Sequence, residues 1–260
     1  MEALLDAIAE IYASAFSPDP IEYRKDHDLL DFQEEMGVLV EKVVGRKVGR
    51  YFLPAFAGVA FSRNEFRWSP RIRPEDGLLR MVPGLGTRAV DRLADDYPVM
   101  VSPGQPELRV NVTQEEVVRY SPHMMDVINL ETNLFETIDF ADFVREFGGE
   151  FDATPQIVSV LEHEQLRPVN LMDLDFETCT PVATFEGLFR NTNFSAQIRK
   201  MLGVIEEQLG MPVDIEFASD GRDLFLLQCR PQSYAKHRRP APIPKDIPEK
   251  GTTVDRNTLM

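Results

Sequence analysis

Leu4, Leu5, Ile8, Ile11, Tyr12 and Ala15 recur at the spacing of one helical face and predict an amphipathic helix that ends before Pro18 and Pro20. Two short apolar runs follow, at residues 36–44 (MGVLVEKVV) and 57–62 (AGVAFS), each bounded by polar or Gly/Pro-containing segments. Such runs read as strands, expected in one sheet. Another strand is expected at residues 78–82, followed by a glycine-rich turn in PGLGTR at residues 83–88. Residues 91–122, with Pro98, Pro103, Gly104 and Pro106, show no decisive period. Helices are expected at Phe140–Phe147 and at residues 156–164. A longer one carries the stripe Ile198, Met201, Leu202, Ile205 and Leu209 and is closed by Gly210 and Pro212. The elements predict an α/β (α+β) fold with a mixed, mainly antiparallel sheet flanked by helices. Residues 236–260 read as a Pro-rich charged linker.

Residues 213–230 (VDIEFASDGRDLFLLQCR) are the most informative stretch. Alternation puts Val213, Ile215 and Phe217 on one face of a strand and Asp214 and Glu216 on the other. In the second strand Phe225, Leu227 and Cys229 oppose Leu224, Leu226, Gln228 and Arg230. Ser219, Asp220, Gly221 and Arg222 form the turn, and its length decides which faces coincide. A two-residue Asp220-Gly221 loop pairs Glu216 with Phe225 and separates the carboxylates from Gln228 and Arg230. A three-residue loop through Arg222 opposes Asp214 to Gln228 and Glu216 to Leu226, and gathers Asp214, Glu216, Gln228 and Arg230 on one surface. Carboxylate and amide oxygens suit Mg²⁺, and a guanidinium forks onto phosphate. An ordinary half-exposed hairpin shows the same alternation, so the pattern alone does not separate the two readings.

Charge narrows the partners. Lys and Arg total 28 against 43 Asp and Glu, a formal net charge of −15, which repels a nucleic acid backbone but not a nucleotide held in a local basic pocket. Cys179 and Cys229 lie far apart and suggest neither a zinc site nor a disulfide framework. No apolar run approaches a membrane span and the acidic start is unlike a signal peptide, so a cytoplasmic protein without a membrane partner is expected.

The stretch DIEFASDGRDLFLLQCRP, preceded by IEEQLGMPV, resembles the end of the ATP-grasp nucleotide-binding domain of the phosphoenolpyruvate synthase and pyruvate phosphate dikinase family. AGVAFSRN at residues 57–64 resembles a strand of that domain. IYASAFSPDPIEYRKDHDL resembles its upstream helix and Y-R segment, and MGVLVEKVV the strand and hinge that receive adenine. Residues 91–209 are the weakest match. By that resemblance residues 1–235 are the later part of the nucleotide-binding domain and bind ATP with Mg²⁺. Glu216 and Gln228 are the implied Mg²⁺ ligands, Arg230 the catalytic contact to the phosphates, and Asp214 their support. Glu41 and Val43 fall in the implied adenine hinge, with Glu41 in place of the family's glutamine. GLGTR resembles a phosphate-side GLG-E element, with Thr87 replacing the acidic residue and Arg88 as a phosphate contact; a tight glycine turn reads equally well there.

The family's upstream lysine, R-S-S segment and lid are not in this sequence, nor is its T-x-H phosphohistidine motif; His27, His123, His163 and His237 lack that context. The resemblance therefore implies a portion of a phosphotransferase. In the whole enzyme ATP phosphorylates a histidine on a swivelling domain, and the phosphoryl group moves to pyruvate on a barrel domain. Those partners are expected on other parts of the enzyme or on a separate chain, with weak or no turnover by this chain alone. The alternative is a non-catalytic regulatory or scaffold module that keeps the fold.

Overall fold

The computed structural model describes residues 2–26, 28–32, 37–90, 96–169 and 179–232. The expected linker at residues 236–260 lies outside them. The chain falls into two compact units, Met1–Val43 and Val44–Met260.

In the first unit, α1 spans Glu2–Ser14, and a second helix, α2, starts at the proline expected to end the first and runs over Pro18–Asp26. Proline fits the first turn of a helix because its missing N–H has no intrahelical partner there. Arg24 closes the corner by donating to the Ala15 carbonyl. The strand expected at residues 36–44 is not formed: residues 37–45 carry no regular element, and Met36 lies outside the described residues. A β-branched run becomes a strand only by pairing, and this run has no ladder among the described residues.

The second unit holds β1 (Arg46–Val48), β2 (Tyr51–Leu53), β3 (Phe56–Phe61), β4 (Leu78–Pro83), α3 (Thr87–Val90), β5 (Val99–Val101), α4 (Gln114–Arg119), β6 (Met124–Asn129) and β7 (Leu134–Asp139). It continues with α5 (Phe140–Phe147), α6 (Thr154–Ile157), β8 (Val158–Glu162), β9 (Gln165–Pro168), β10 (Thr180–Ala183), α7 (Glu186–Asn191), α8 (Phe194–Leu209), β11 (Val213–Ser219) and β12 (Leu224–Pro231). The strands form sheets of order β1-β2-β6-β7, β10-β8-β9 and β12-β11-β3-β4-β5. All strand pairs are antiparallel; Gly84 and Asp126 add one isolated parallel bridge. No helix among the described residues is long and apolar enough to cross a membrane.

The helix expected at residues 156–164 is a correction: one turn, α6, is followed by β8. Val158 and Val160 are buried and pair with Ala183 and Pro181, so burial against a ladder overrides the helical reading. The long helix forms as expected, and α8 ends where Gly210 takes a left-handed conformation, φ 68°.

One core joins the sheets. On one side of the five-stranded sheet, Ile215 and Phe217 stand beside Ala60, Leu79 and Met81, and α8 covers them with Phe194, Ile198 and Leu202. Phe56 meets Phe185 and Phe194 edge-on. A smaller cluster, Val59, Val82 and Ala89, lies on the opposite side of the same sheet beneath α3.

The β11–β12 turn has four residues, Asp220 to Asp223, where three were expected. The Asp220 carboxylate accepts the amides of Arg222 and Asp223, both at 2.9 Å, and Arg46 Nη2 on β1 at 3.3 Å. These contacts hold its carboxyl below the ordinary aspartate range, the Asp223 amide contributing most, against a smaller opposing effect of desolvation. A depressed folded-state value means the stabilisation is complete above the unfolded range, about 4, and is lost as pH falls through the folded value. Asp220→Asn is therefore expected to flatten the loss of thermal stability on acidification below about pH 4. Parallel wild-type and variant melting curves over that range would count against this role.

Candidate functional site

With four residues in the turn, Ser219 opposes Leu224, Ala218 opposes Phe225 and Phe217 opposes Leu226. Continued without interruption, that register would set Glu216 against Leu227 and send Gln228 and Arg230 to the wrong side. A bulge between Glu216 and Phe217 leaves Leu227 unpaired and restores the parity. Beyond it Glu216 opposes Gln228 and Asp214 opposes Arg230, in place of the Glu216–Leu226 and Asp214–Gln228 pairings expected from a three-residue turn. The four residues share one face because directly opposed antiparallel residues point the same way.

The register extends that face across the sheet. Glu216 opposes Val59 on β3, which opposes Arg80 on β4; Asp214 opposes Phe61, which opposes Leu78. Val59 is covered by Ala89 of α3, and the open part of this face has an apolar floor of Phe61 and Leu78 flanked by charged side chains. Arg80, Asp214, Arg230, Phe61 and Phe66 line a groove of about 420 Å³ there. Arg80 is the residue that sequence reading missed. Its signal was a lone cation in an apolar strand, but only the β3–β4 register brings it into line with Glu216.

Arg230 Nε donates to Asp214 Oδ1 at 2.7 Å, with the aspartate side chain 9% and the arginine 53% exposed. The hydrogen bond to Asp214 raises the guanidinium above its ordinary range, so Arg230 is a cation at every working pH. The end of β12 is clamped beside it: Gln232 accepts from the Arg63 amide and donates to the Arg63 carbonyl. Half of the Arg230 side chain stays open to solvent while its base is fixed.

Arg88 stands on α3, which covers Val59 on this same side of the sheet, but its guanidinium is taken up by carboxylates. Its Nε lies 2.8 Å from Asp96 Oδ2 and its Nη1 3.7 Å from Asp126 Oδ1, and its side chain is 13% exposed. Asp126 also accepts from Thr87 and Thr137, and its carbonyl takes the Leu85 amide, so the GLGT turn is docked onto β6. A phosphate would have to compete with two carboxylates for Arg88. Glu41 and Val43 belong to the first unit, in a segment without regular structure. His123 and His163 are exposed; His27 and His237 fall outside the described residues.

A model of the pyruvate phosphate dikinase AMP/ATP-binding domain matches residues 1–251. The chain belongs to this family. A search of curated proteins found no match. The β11–β12 hairpin is thus part of a dikinase-family AMP/ATP-binding domain, and its donor set can be weighed for the metal that accompanies ATP. No group of three or more His, Cys, Asp or Glu that could hold a metal is present among the described residues. Mg²⁺ does not need such a cage. It is commonly held by one or two carboxylates and completes its shell with water and substrate phosphates. A carboxylate opposite an amide oxygen, Glu216 opposite Gln228, fits that requirement, whereas Asp214 is committed to Arg230.

Proposed function

We propose that the face carrying Glu216, Gln228, Asp214 and Arg230 receives the phosphate end of ATP, and that this domain delivers a phosphoryl group to a histidine on a swivelling domain, from which it passes to pyruvate. Glu216 and Gln228 hold Mg²⁺, which when bound neutralises phosphate charge. Arg230 contacts the phosphates through its solvent-facing nitrogens, and Asp214 aims it. Arg80 adds a second cation along the groove; Arg88 joins the phosphates only by leaving Asp96. The carrying observation is the bulge-corrected register, which lines up a carboxylate, an amide and two guanidinia over an apolar floor. Such chemistry is positioning and charge neutralisation, which this set of side chains can supply.

Calorimetry with MgATP tests the reading. The wild-type chain is expected to bind, and Glu216→Gln, which keeps the shape and removes the charge, is expected to weaken MgATP by about tenfold or more while affecting metal-free ATP much less. Absence of wild-type binding, or equal MgATP affinity in the variant, would defeat the metal assignment.

A further inference from the structure

Most arginines among the described residues are engaged by carboxylates, for example Arg46 by Asp152 and Asp220, Arg50 by Glu146, Arg63 by Glu75 and Glu206, and Arg109 by Glu186. That is the expected outcome in a chain of net charge −15. Three arginines depart from it together. Ile72 is 2% exposed, and the extended backbone beside it, with Arg73 at φ −96° and ψ 157°, turns Arg71 and Arg73 outward on the opposite side. Arg199, next to the buried Ile198 on α8, lines the same open groove of about 550 Å³. Among the described residues none of the three guanidinia meets a carboxylate at ion-pair distance. The acid that lines the groove, Asp76, is 6% exposed and is engaged by the Arg73 amide at 2.8 Å.

We propose that this groove is a second anion site, built for a chain of two or three phosphoryl groups. A guanidinium presents a planar fork of donors that matches phosphate oxygens. Three such forks around one groove ask for more charge than a single phosphate carries. The groove is separate from the nucleotide face: Arg199 stands on α8, which packs on the Ile215 side of the sheet, whereas Glu216 faces the other side. Like charges gathered at the surface of an acidic protein repel one another, and a polyphosphate anion relieves that repulsion.

Metal-free tripolyphosphate, pyrophosphate and orthophosphate, titrated by calorimetry into the 260-residue chain, test the site. Tripolyphosphate is expected to bind more tightly than orthophosphate, with an affinity that falls as ionic strength rises. Arg199→Ala and the double change Arg71→Ala/Arg73→Ala are each expected to weaken it about tenfold, with partial rescue by Arg199→Lys. All three arginines are exposed, so unchanged melting temperatures separate lost binding from lost folding. The proposal falls if wild type does not bind tripolyphosphate, if orthophosphate binds as tightly, or if the arginine variants bind undiminished. It also falls if Arg230→Ala abolishes the binding that Arg199→Ala leaves intact, since the anion then sits on the nucleotide face.

Discussion

Arg230→Ala is expected to weaken MgATP binding by about 10- to 100-fold, because a charge-assisted contact to phosphate has no substitute on β12. Neighbouring side chains on its face are Gln228, which is neutral, and Asp214, which would then repel the phosphates. The variant also strands the Asp214 carboxylate, whose side chain is 9% exposed. Breaking a fully buried pair costs about 3–5 kcal/mol, but Arg230 is 53% exposed and water screens the interaction, so a loss of about 1–2 kcal/mol is the expected scale. Asp214→Asn separates the two effects. Its amide oxygen can still accept from Arg230 Nε, so stability should change little, while a less firmly aimed guanidinium weakens MgATP only moderately. Arg230→Lys should not restore binding, because a point charge does not reproduce a fork whose Nε is held by Asp214. Calorimetry and urea unfolding read the two quantities independently; wild-type affinity in Arg230→Ala would remove Arg230 from the phosphate site without touching the fold.

Phe217→Ala is expected to cost about 3–5 kcal/mol, the largest stability effect of any single change considered. Phe217 is 1% exposed, and its ring lies 6.0 Å from that of Phe194 on α8. Across the ladder it meets Gly58, where a Cβ would stand 3.1 Å from the Phe217 ring tip and 2.2 Å from the Arg80 carbonyl oxygen. The glycine thus makes room for the ring and for the close approach of β4, and the space left by alanine cannot be refilled from that side. Phe217 adjoins Glu216 in sequence but points to the opposite side of the sheet. The folded variant should therefore keep MgATP affinity while its urea midpoint drops; a cost below about 1 kcal/mol would show that α8 repacks onto the sheet unaided.

Where the chain's local physics is strong, its sequence is a reliable guide. The α8 stripe from Ile198 to Leu209 with Gly210 behind it, the exact span of α5, and the β3, β4, β11 and β12 runs all emerge at their expected places. The Thr113–Glu116 capping box that starts α4 was legible within the stretch left unassigned; each side chain accepts from the other's backbone amide. The failures come where pairing decides. Residues 37–44 have the composition of a strand but no ladder, and residues 158–162 have a helical look but two ladder partners in β9 and β10.

The sequence by itself determined the family, the two alternating strands, and the residue types that a nucleotide site needs, because these rest on local pattern and spacing. Only the tertiary structure decided which of those residues meet. A four-residue turn would have split Asp214 and Glu216 from Gln228 and Arg230, and the unpaired Leu227 reverses that outcome. Arg80 and Arg88, both cations near the same turn, are sorted in the same way, one into line with Glu216 and the other into the grip of Asp96 and Asp126. The reason is physical: side-chain direction in a sheet flips with every residue of register, and register is set by bulges and neighbouring strands that composition does not record.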